Sequence, residues 1–290
     1  MREDDVECVW PIGATLGEGP LWDDRTDTLW FVDIISGRVH AYTPATGAQR
    51  TIETGGYPGF LLVDEAGGFV LGRGHALEHF DGERVTGEIA RVEMRDGNRL
   101  NDGTVDPSGR IWFGSMDFGC ELPTGAVHLF ADGALRTVGG EAAITNGPAV
   151  TTDGRFLYHV DTAAGLIWRF DIDANHMLVD GEIFATIDPA DGTPDGVVLD
   201  SEDHLWVGLW GGWAARRYAP DGTIVQVVRF PVANITKIAF GGPDLKTAYA
   251  TTARDNMDEA ALADQPLAGG LFAFPVDVPG RLASRAIVAA

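Results

Sequence analysis

The segment Thr104-Val-Asp-Pro-Ser-Gly-Arg-Ile-Trp-Phe-Gly-Ser115 decides how this chain folds. A short apolar run ends in the turn Asp106-Pro-Ser-Gly109, and a run rich in apolar and aromatic residues, Arg110–Ser115, follows at once. Comparable runs stand at Thr28–Asp33, Gly68–Gly72, Arg155–Val160, His204–Gly208 and Thr247–Thr251, about 40 to 50 residues apart. Each is preceded by its own apolar run: Pro20–Trp22, Phe60–Val63, Thr104–Val105, Pro148–Val150, Val197–Leu199 and Ile238–Phe240. Several are followed by a partner strand, as at Gly37–Tyr42, Gly125–Phe130 and Gly165–Phe170, and turns such as Pro220-Asp-Gly222 lie between. Six copies of a multi-stranded unit at this period predict an all-β protein, a six-bladed β-propeller of four-stranded antiparallel blades. A parallel β-helix has far shorter repeats.

Length alone would suggest two domains, but all-β propellers of this size form one, so residues 1–290 are read as a single domain. A strand near Glu7–Trp10 is expected to pair beside the C-terminal segment Ser284–Val288, closing the ring and hiding its edges. One short helix is expected at Asp258–Ala263. The 38 glycines and 15 prolines are scattered, as many tight turns require. A net charge of −22 repels phosphate backbones and anionic headgroups, which excludes nucleic acid and membrane as partners. The N-terminus lacks a basic patch followed by an apolar run, and no stretch approaches the ~18 apolar residues of a membrane span. Cys8 and Cys120 read as free thiols, and the expected location is cytoplasmic, as a monomer or weak oligomer.

The repeat also locates chemistry. The residue just before each innermost run is Glu18, Gly59, Asn101, Asn146, Asp195 and Thr236, at intervals of 41, 42, 45, 49 and 41. In a propeller these positions face one small space at one end of the central channel. Two carboxylates and two amides make an oxygen-rich ring suited to a hard divalent cation, with coordination positions left for water and substrate. Gly59 would leave one sector free of side chain, a place for a ligand. Each residue alone has an ordinary reading, since Asn146-Gly147 and Asp195-Gly196 are common turn pairs and Glu18 sits between glycines. The shared phase in separate repeats favours a site.

Other catalytic schemes find little support. The chain has no Gly-x-Ser-x-Gly elbow, no His-Glu-x-x-His pattern and no phosphate loop in the glycine-rich segment 208–212. The seven histidines read as packing or surface residues, although His75 and His79 could meet across a hairpin. Trp22, Trp30, Trp112 and Trp206 read as core, and Trp210 or Trp213 as a possible pocket wall. Lys237, beside the ring, is open between a substrate contact and a structural ion pair.

Five ordered motifs carry a family resemblance across essentially the whole chain: Leu16-Gly-Glu-Gly-Pro-Leu-Trp22, Arg99–Arg110, Thr145-Asn-Gly-Pro148, Pro194-Asp-Gly196 and Phe240-Gly-Gly-Pro-Asp244. They resemble the senescence-marker-protein/gluconolactonase family, also called the regucalcin family. Leu209-Trp-Gly-Gly-Trp213 and Pro266–Gly270 look most like its bacterial aldonolactonases, including xylonolactonases. The resemblance implies a metal-dependent hydrolase that opens a small-molecule sugar lactone. It implies one divalent metal ion (Ca, Zn, Mn, Mg or Fe(II)) on Glu18, Asn146 and Asp195, with Arg99 and Asn101 contacting the lactone. Where family members often carry an acidic residue for the sugar hydroxyls, this chain has Gly119, between Asp117 and Glu121.

A lactone is a cyclic ester, so its hydrolysis needs an electrophile on the carbonyl oxygen, a water nucleophile and a proton acceptor. Asp195 is assigned as ligand and general base, although a water on the cation could equally supply hydroxide. Two other classes remain open: a non-catalytic divalent-metal-binding regulator on the same propeller, and a protein-interaction propeller with no active site.

Overall fold

The computed structural model describes residues 5–288. After β1 (Glu7–Trp10), blade one comprises β2 (Gly17–Asp23), β3 (Thr28–Asp33), β4 (Arg38–Thr43) and β5 (Ala48–Glu53). Blade two is β6 (Pro58–Val63), β7 (Phe69–Arg73), β8 (Ala76–Phe80) and β9 (Val85–Arg91). Blade three is β10 (Asn98–Val105), β11 (Ile111–Asp117), β12 (Gly125–Ala131) and β13 (Ala134–Ala142). Blade four is β14 (Thr145–Val150), β15 (Phe156–Asp161), β16 (Leu166–Ile172) and β17 (Leu178–Thr186). Blade five is β18 (Thr193–Leu199), β19 (Leu205–Trp210), β20 (Ala214–Tyr218) and β21 (Ile224–Arg229). Blade six holds β22 (Ile235–Gly241), β23 (Thr247–Thr252), α1 (Glu259–Asp264) and β24 (Leu271–Pro275).

Each blade is an antiparallel four-stranded sheet in sequence order, and the sixth is completed by β1 in the order β22-β23-β24-β1. The innermost strands β2, β6, β10, β14, β18 and β22 each touch the next, and β22 touches β2, so the ring is closed.

Single carboxylates in the turns secure blades three and five. Asp106 accepts the backbone N–H of Ser108 (2.8 Å) and Arg110 (3.1 Å) on Oδ1, and Trp112 Nε1–H (2.9 Å) and Arg110 Nε–H (2.6 Å) on Oδ2. Asp200 repeats this with Glu202, His204 and Trp206, so the turn and the buried indole of the next strand are secured together. The apolar faces then pack between blades. Trp30 of blade one lies against Phe69 of blade two, with ring centroids 4.9 Å apart, and Trp206 of blade five meets Phe240 of blade six at 5.9 Å. Trp22 stacks on Tyr249 at 6.1 Å across the seam between the first and last blades. The four tryptophans read as core are all buried.

Ring closure differs from the sequence expectation in one partner. β1 does close the ring, but on β24, with Glu7 opposite Ala273, Cys8 opposite Phe272 and Trp10 opposite Leu271. The segment Ser284–Val288 forms no strand, and only Ala286 makes an isolated parallel bridge, to Asp64. The reason is packing. Ala286 is buried in the core between blades two and three, so the C-terminal segment runs across the lower end of the channel instead of along an outer edge. There Arg281–Ser284 line a cavity of about 290 Å³. The expected helix is present one residue later than read, as α1, because Asp258 caps it by accepting the Ala261 N–H. No helix among the described residues is long and apolar enough to cross a membrane.

His75 and His79 do not meet, since His75 Nε2 lies 2.9 Å from Asn98 O and His79 Nδ1 lies 3.7 Å from Asp64. His40, His128 and His159 are buried, and burial pushes each imidazole down to about 4. Among the described residues neither ring nitrogen of His159 has a hydrogen-bond partner. A histidine whose folded value lies below its unfolded value of about 6.5 costs nothing above that pH, but lets the unfolded state gain protons below it. Stability is therefore lost as pH falls from about 6.5 toward 4. His159→Leu should remove part of that acid loss, and thermal melts at pH 5 and pH 8 should show a smaller Tm difference than the parent protein gives.

Candidate active site

The ladder between the innermost strand and its neighbour breaks register in all six blades. The breaks fall at Glu18/Leu21, Pro58/Phe60, Leu100/Gly103, Asn146/Ala149, Pro194/Val197 and Ile235/Ile238. Each sequence-predicted ring residue lies in or beside its blade's break. A bulge leaves residues unpaired and re-aims side chains, which turns this level of every strand toward the channel.

Four of the six positions meet in two pairs. Asn101 Nδ2–H donates to Asn146 Oδ1 (2.9 Å) and to Thr145 O (2.8 Å), while Asn146 Nδ2–H donates to Thr162 Oγ1 (2.9 Å). These bonds orient Asn146 with its carbonyl oxygen toward Asn101 and a lone pair to spare. On the other side, the Glu18 and Asp195 carboxyls lie close enough that each shifts the other's protonation.

Burial, then the charge of Asp102, pushes Glu18 up to about 7. Burial, then Glu18, holds Asp195 well above the usual carboxylate range. Two buried acids facing one another, with the remaining lone pair of the Asn146 amide oxygen at the same level, form a donor set that a cation would relieve of its repulsion. Among the described residues no group of three or more His, Cys, Asp or Glu side chains is placed to hold a metal. A cation here would therefore need the amide of Asn146 as well as the two carboxylates. The set fits a hard divalent ion.

Arg99 stands over this level. Its Nη1 donates to Leu100 O (3.1 Å) and to Asn101 Oδ1 (2.6 Å), so Asn101 links the guanidinium to Asn146. Among the described residues both of its hydrogen bonds leave from Nη1, and Nε and Nη2 remain for a ligand. Burial lowers Arg99 to about 10, which keeps it charged at neutral pH.

The two remaining positions are structural. Thr236 Oγ1–H donates to Gly17 O (2.6 Å) or Thr251 Oγ1 (2.8 Å), holding the last blade to the first. Gly59 does not open a sector for a ligand. A Cβ there would lie 2.5 Å from Asn101 O and 2.9 Å from Leu100 O, so the glycine lets blade two approach the backbone of blade three. Lys237 is an ion-pair partner, meeting Asp102 at 2.6 Å.

Sequence reasoning missed the rim. Phe118 is 44% exposed and Tyr57 is 40% exposed, yet their rings pack at 4.8 Å, and the Arg99 guanidinium lies 5.9 Å from the Phe118 ring centre. The available signal was the place of Phe118 beside Asp117 and Gly119. Asp117 is not free for a sugar either, since it pairs with Arg95 (3.0 Å) and accepts the N–H groups of Glu121 and Leu122 (3.1 Å each). Trp213 is 41% exposed with φ 56°, and Trp210 is partly buried.

The comparisons with known proteins cover the same span. The family model described as the SMP-30/gluconolactonase/LRE-like region matches residues 16–254. A 6-deoxy-6-sulfogluconolactonase of Pseudomonas putida is 31% identical over 282 residues, covering 95% of this chain and 96% of its own. A pentonolactonase of Haloferax volcanii is 35% identical over 287 residues, covering 95% and 96%. Among solved structures, a regucalcin from Agrobacterium tumefaciens, described as a calcium-binding protein, superposes with a TM-score of 0.91 at 28% identity, covering 98% of this chain and 97% of its own. With the family model matched from the first blade to the last, this chain belongs to the SMP-30/gluconolactonase/LRE-like family.

Proposed function

We propose that this protein is a metal-dependent sugar lactonase of carbohydrate catabolism that opens a pentono- or hexonolactone to its sugar acid. The observation that carries this reading is the linkage Arg99–Asn101–Asn146, which sets a ligand-ready guanidinium beside the buried Glu18 and Asp195 carboxyls. The named lactonases that match over nearly the whole chain support it.

Glu18, Asp195 and the Asn146 carbonyl oxygen would hold the ion. A divalent cation there supplies Lewis acidity toward a carbonyl oxygen and offsets the charge of the two acids. Arg99, through Nε and Nη2, binds the lactone oxygens and orients the ring. Asn101 keeps the guanidinium in register with the site. A carboxylate oxygen of Asp195 accepts the proton of the attacking water. As water adds to the carbonyl carbon, the ring C–O ester bond breaks and the proton held by Asp195 passes to the leaving ring oxygen, which becomes a hydroxyl, so one water is consumed per lactone. Phe118 and Tyr57 give the sugar's apolar face an aromatic wall, where the family's usual acid is replaced by Gly119.

The decisive experiment is a grid of metals against lactones. After chelator treatment the protein should release no acid from xylono-, arabinono- or gluconolactone, and one or more of Ca²⁺, Mn²⁺, Zn²⁺, Mg²⁺ and Fe²⁺ restored singly should recover hydrolysis. Metal uptake without hydrolysis of these or related lactones would favour a binding protein of the calcium-binding kind over an enzyme.

Asp195→Asn should lower kcat by about 10²-fold or more. In the metal-free protein at pH 8 the same change should raise Tm by about 2 °C or more, because it removes one of two mutually repelling buried acids. Unchanged turnover at full metal occupancy would sink the base assignment. Phe118→Ala should raise KM about 5- to 10-fold with kcat within about 2-fold, as loss of a binding wall requires.

A further inference from the structure

The floor of the site is crossed by an ion pair. Lys237 Nζ donates to both oxygens of Asp102, at 2.6 and 2.7 Å. Each of the two follows a ring position directly, Asp102 after Asn101 and Lys237 after Thr236, and each lies in its strand's register break. Their strands, β10 and β22, are three steps apart around the ring of six in either direction. The pair therefore spans the channel from one wall to the opposite wall. Both side chains are buried, and the residues are 135 apart in sequence. Beneath lies the cavity of about 290 Å³ closed by the C-terminal segment, and Lys237 and Gly103 are among the residues at its upper end.

The lysine reaches across because blade five makes room. A Cβ on Gly196 would lie 2.7 to 2.8 Å from Cβ, Cγ and Cδ of Lys237. The stem thus rests on the backbone immediately after Asp195.

The charges of this cluster are coupled. Asp102 acts on both Glu18 and Asp195, and Lys237 acts on Glu18 in the opposite sense. With three acids and one ammonium, the fully ionised cluster carries two net negative charges, which one divalent cation neutralises. Asp102 also accepts the Gly103 N–H (2.7 Å), but without its ammonium its buried charge would have no cationic partner, which is costly unless it finds another cation.

We propose that the Lys237–Asp102 pair is a positioning crossbar that keeps Asp102 from joining Glu18 and Asp195 as a third anionic ligand, so that the cation is held by two acids and stays open to the lactone above. The inference rests on the cation reading given under Proposed function. It assigns Lys237 no contact with substrate. Removing the ammonium turns Asp102 toward the cation, and removing the carboxylate leaves a positive charge under it. The two single changes therefore act on cation affinity in opposite directions, whereas a merely structural strut would weaken it in both.

The test is calorimetric titration of Mn²⁺ into chelator-treated full-length protein, with thermal melts to confirm folding. Lys237→Met should tighten Mn²⁺ binding about 10-fold or more, and its kcat should fall as the ion's open face is lost. Asp102→Asn should weaken binding about 10-fold or more. The double variant D102N/K237M should return to within about 3-fold of the parent. If Lys237→Met alone does not fold, weak binding by Asp102→Asn with recovery in the double variant still supports the crossbar. Loss of affinity in both single variants, or affinities all within about 3-fold, overturns the crossbar while leaving the cation reading intact. Absence of Mn²⁺ and Ca²⁺ binding by the parent protein overturns both.

Discussion

In every blade, the innermost strand and its neighbour pair regularly at the lower end and then slip at the same level. That slip is the constraint on which the site depends. A regular strand would alternate its side chains between the two blade interfaces, and none would point down the channel axis. The slip leaves residues without ladder partners and turns their side chains inward. Because the six blades close on one another, six such slips put residues up to 218 positions apart, from Glu18 to Thr236, around one small space.

Such a space is electrostatically costly. Glu18, Asp102 and Asp195 are all buried, and among the described residues Lys237 and Arg99 bring positive charge near them. Burying acids without counter-charge costs several kcal/mol each. The fold sustains this because its stability lies elsewhere, in the aromatic and aliphatic packing between neighbouring blades and in the turn carboxylates that hold tryptophans in place. The central strands are thereby free to carry chemistry that does nothing for the core. The same separation explains why ring closure by β1 matters to the site, since without it blade six, which carries Lys237, would lack its outer strand.

Much of this was legible in the chain itself. The sixfold period, the tryptophans of the core and the phase of Glu18, Asn101, Asn146 and Asp195 follow from apolar runs and turns, which are local signals. The partner of β1 was not legible, because Leu271–Pro275 and Ser284–Val288 are both apolar enough to serve, and only three-dimensional packing commits Ala286 to the base of blades two and three. Gly59 was misread for a related reason. A missing side chain looks the same in sequence whether it admits a ligand or a neighbouring backbone, and the 2.5 Å approach of Asn101 O decides for the backbone.

What the sequence determined by itself was therefore the repeat, the blade count and the positions that share a phase, because hydrophobic periodicity and turn chemistry act over a few residues. What only the tertiary structure decided was which of those positions touch. The Asn101–Asn146 bond, the Glu18–Asp195 contact, the Lys237–Asp102 pair across the channel and the Phe118–Tyr57 rim over Arg99 all join different blades or distant strands. Their geometry is set by how six twisted sheets close into a ring, and no stretch of chain shorter than the ring contains that information.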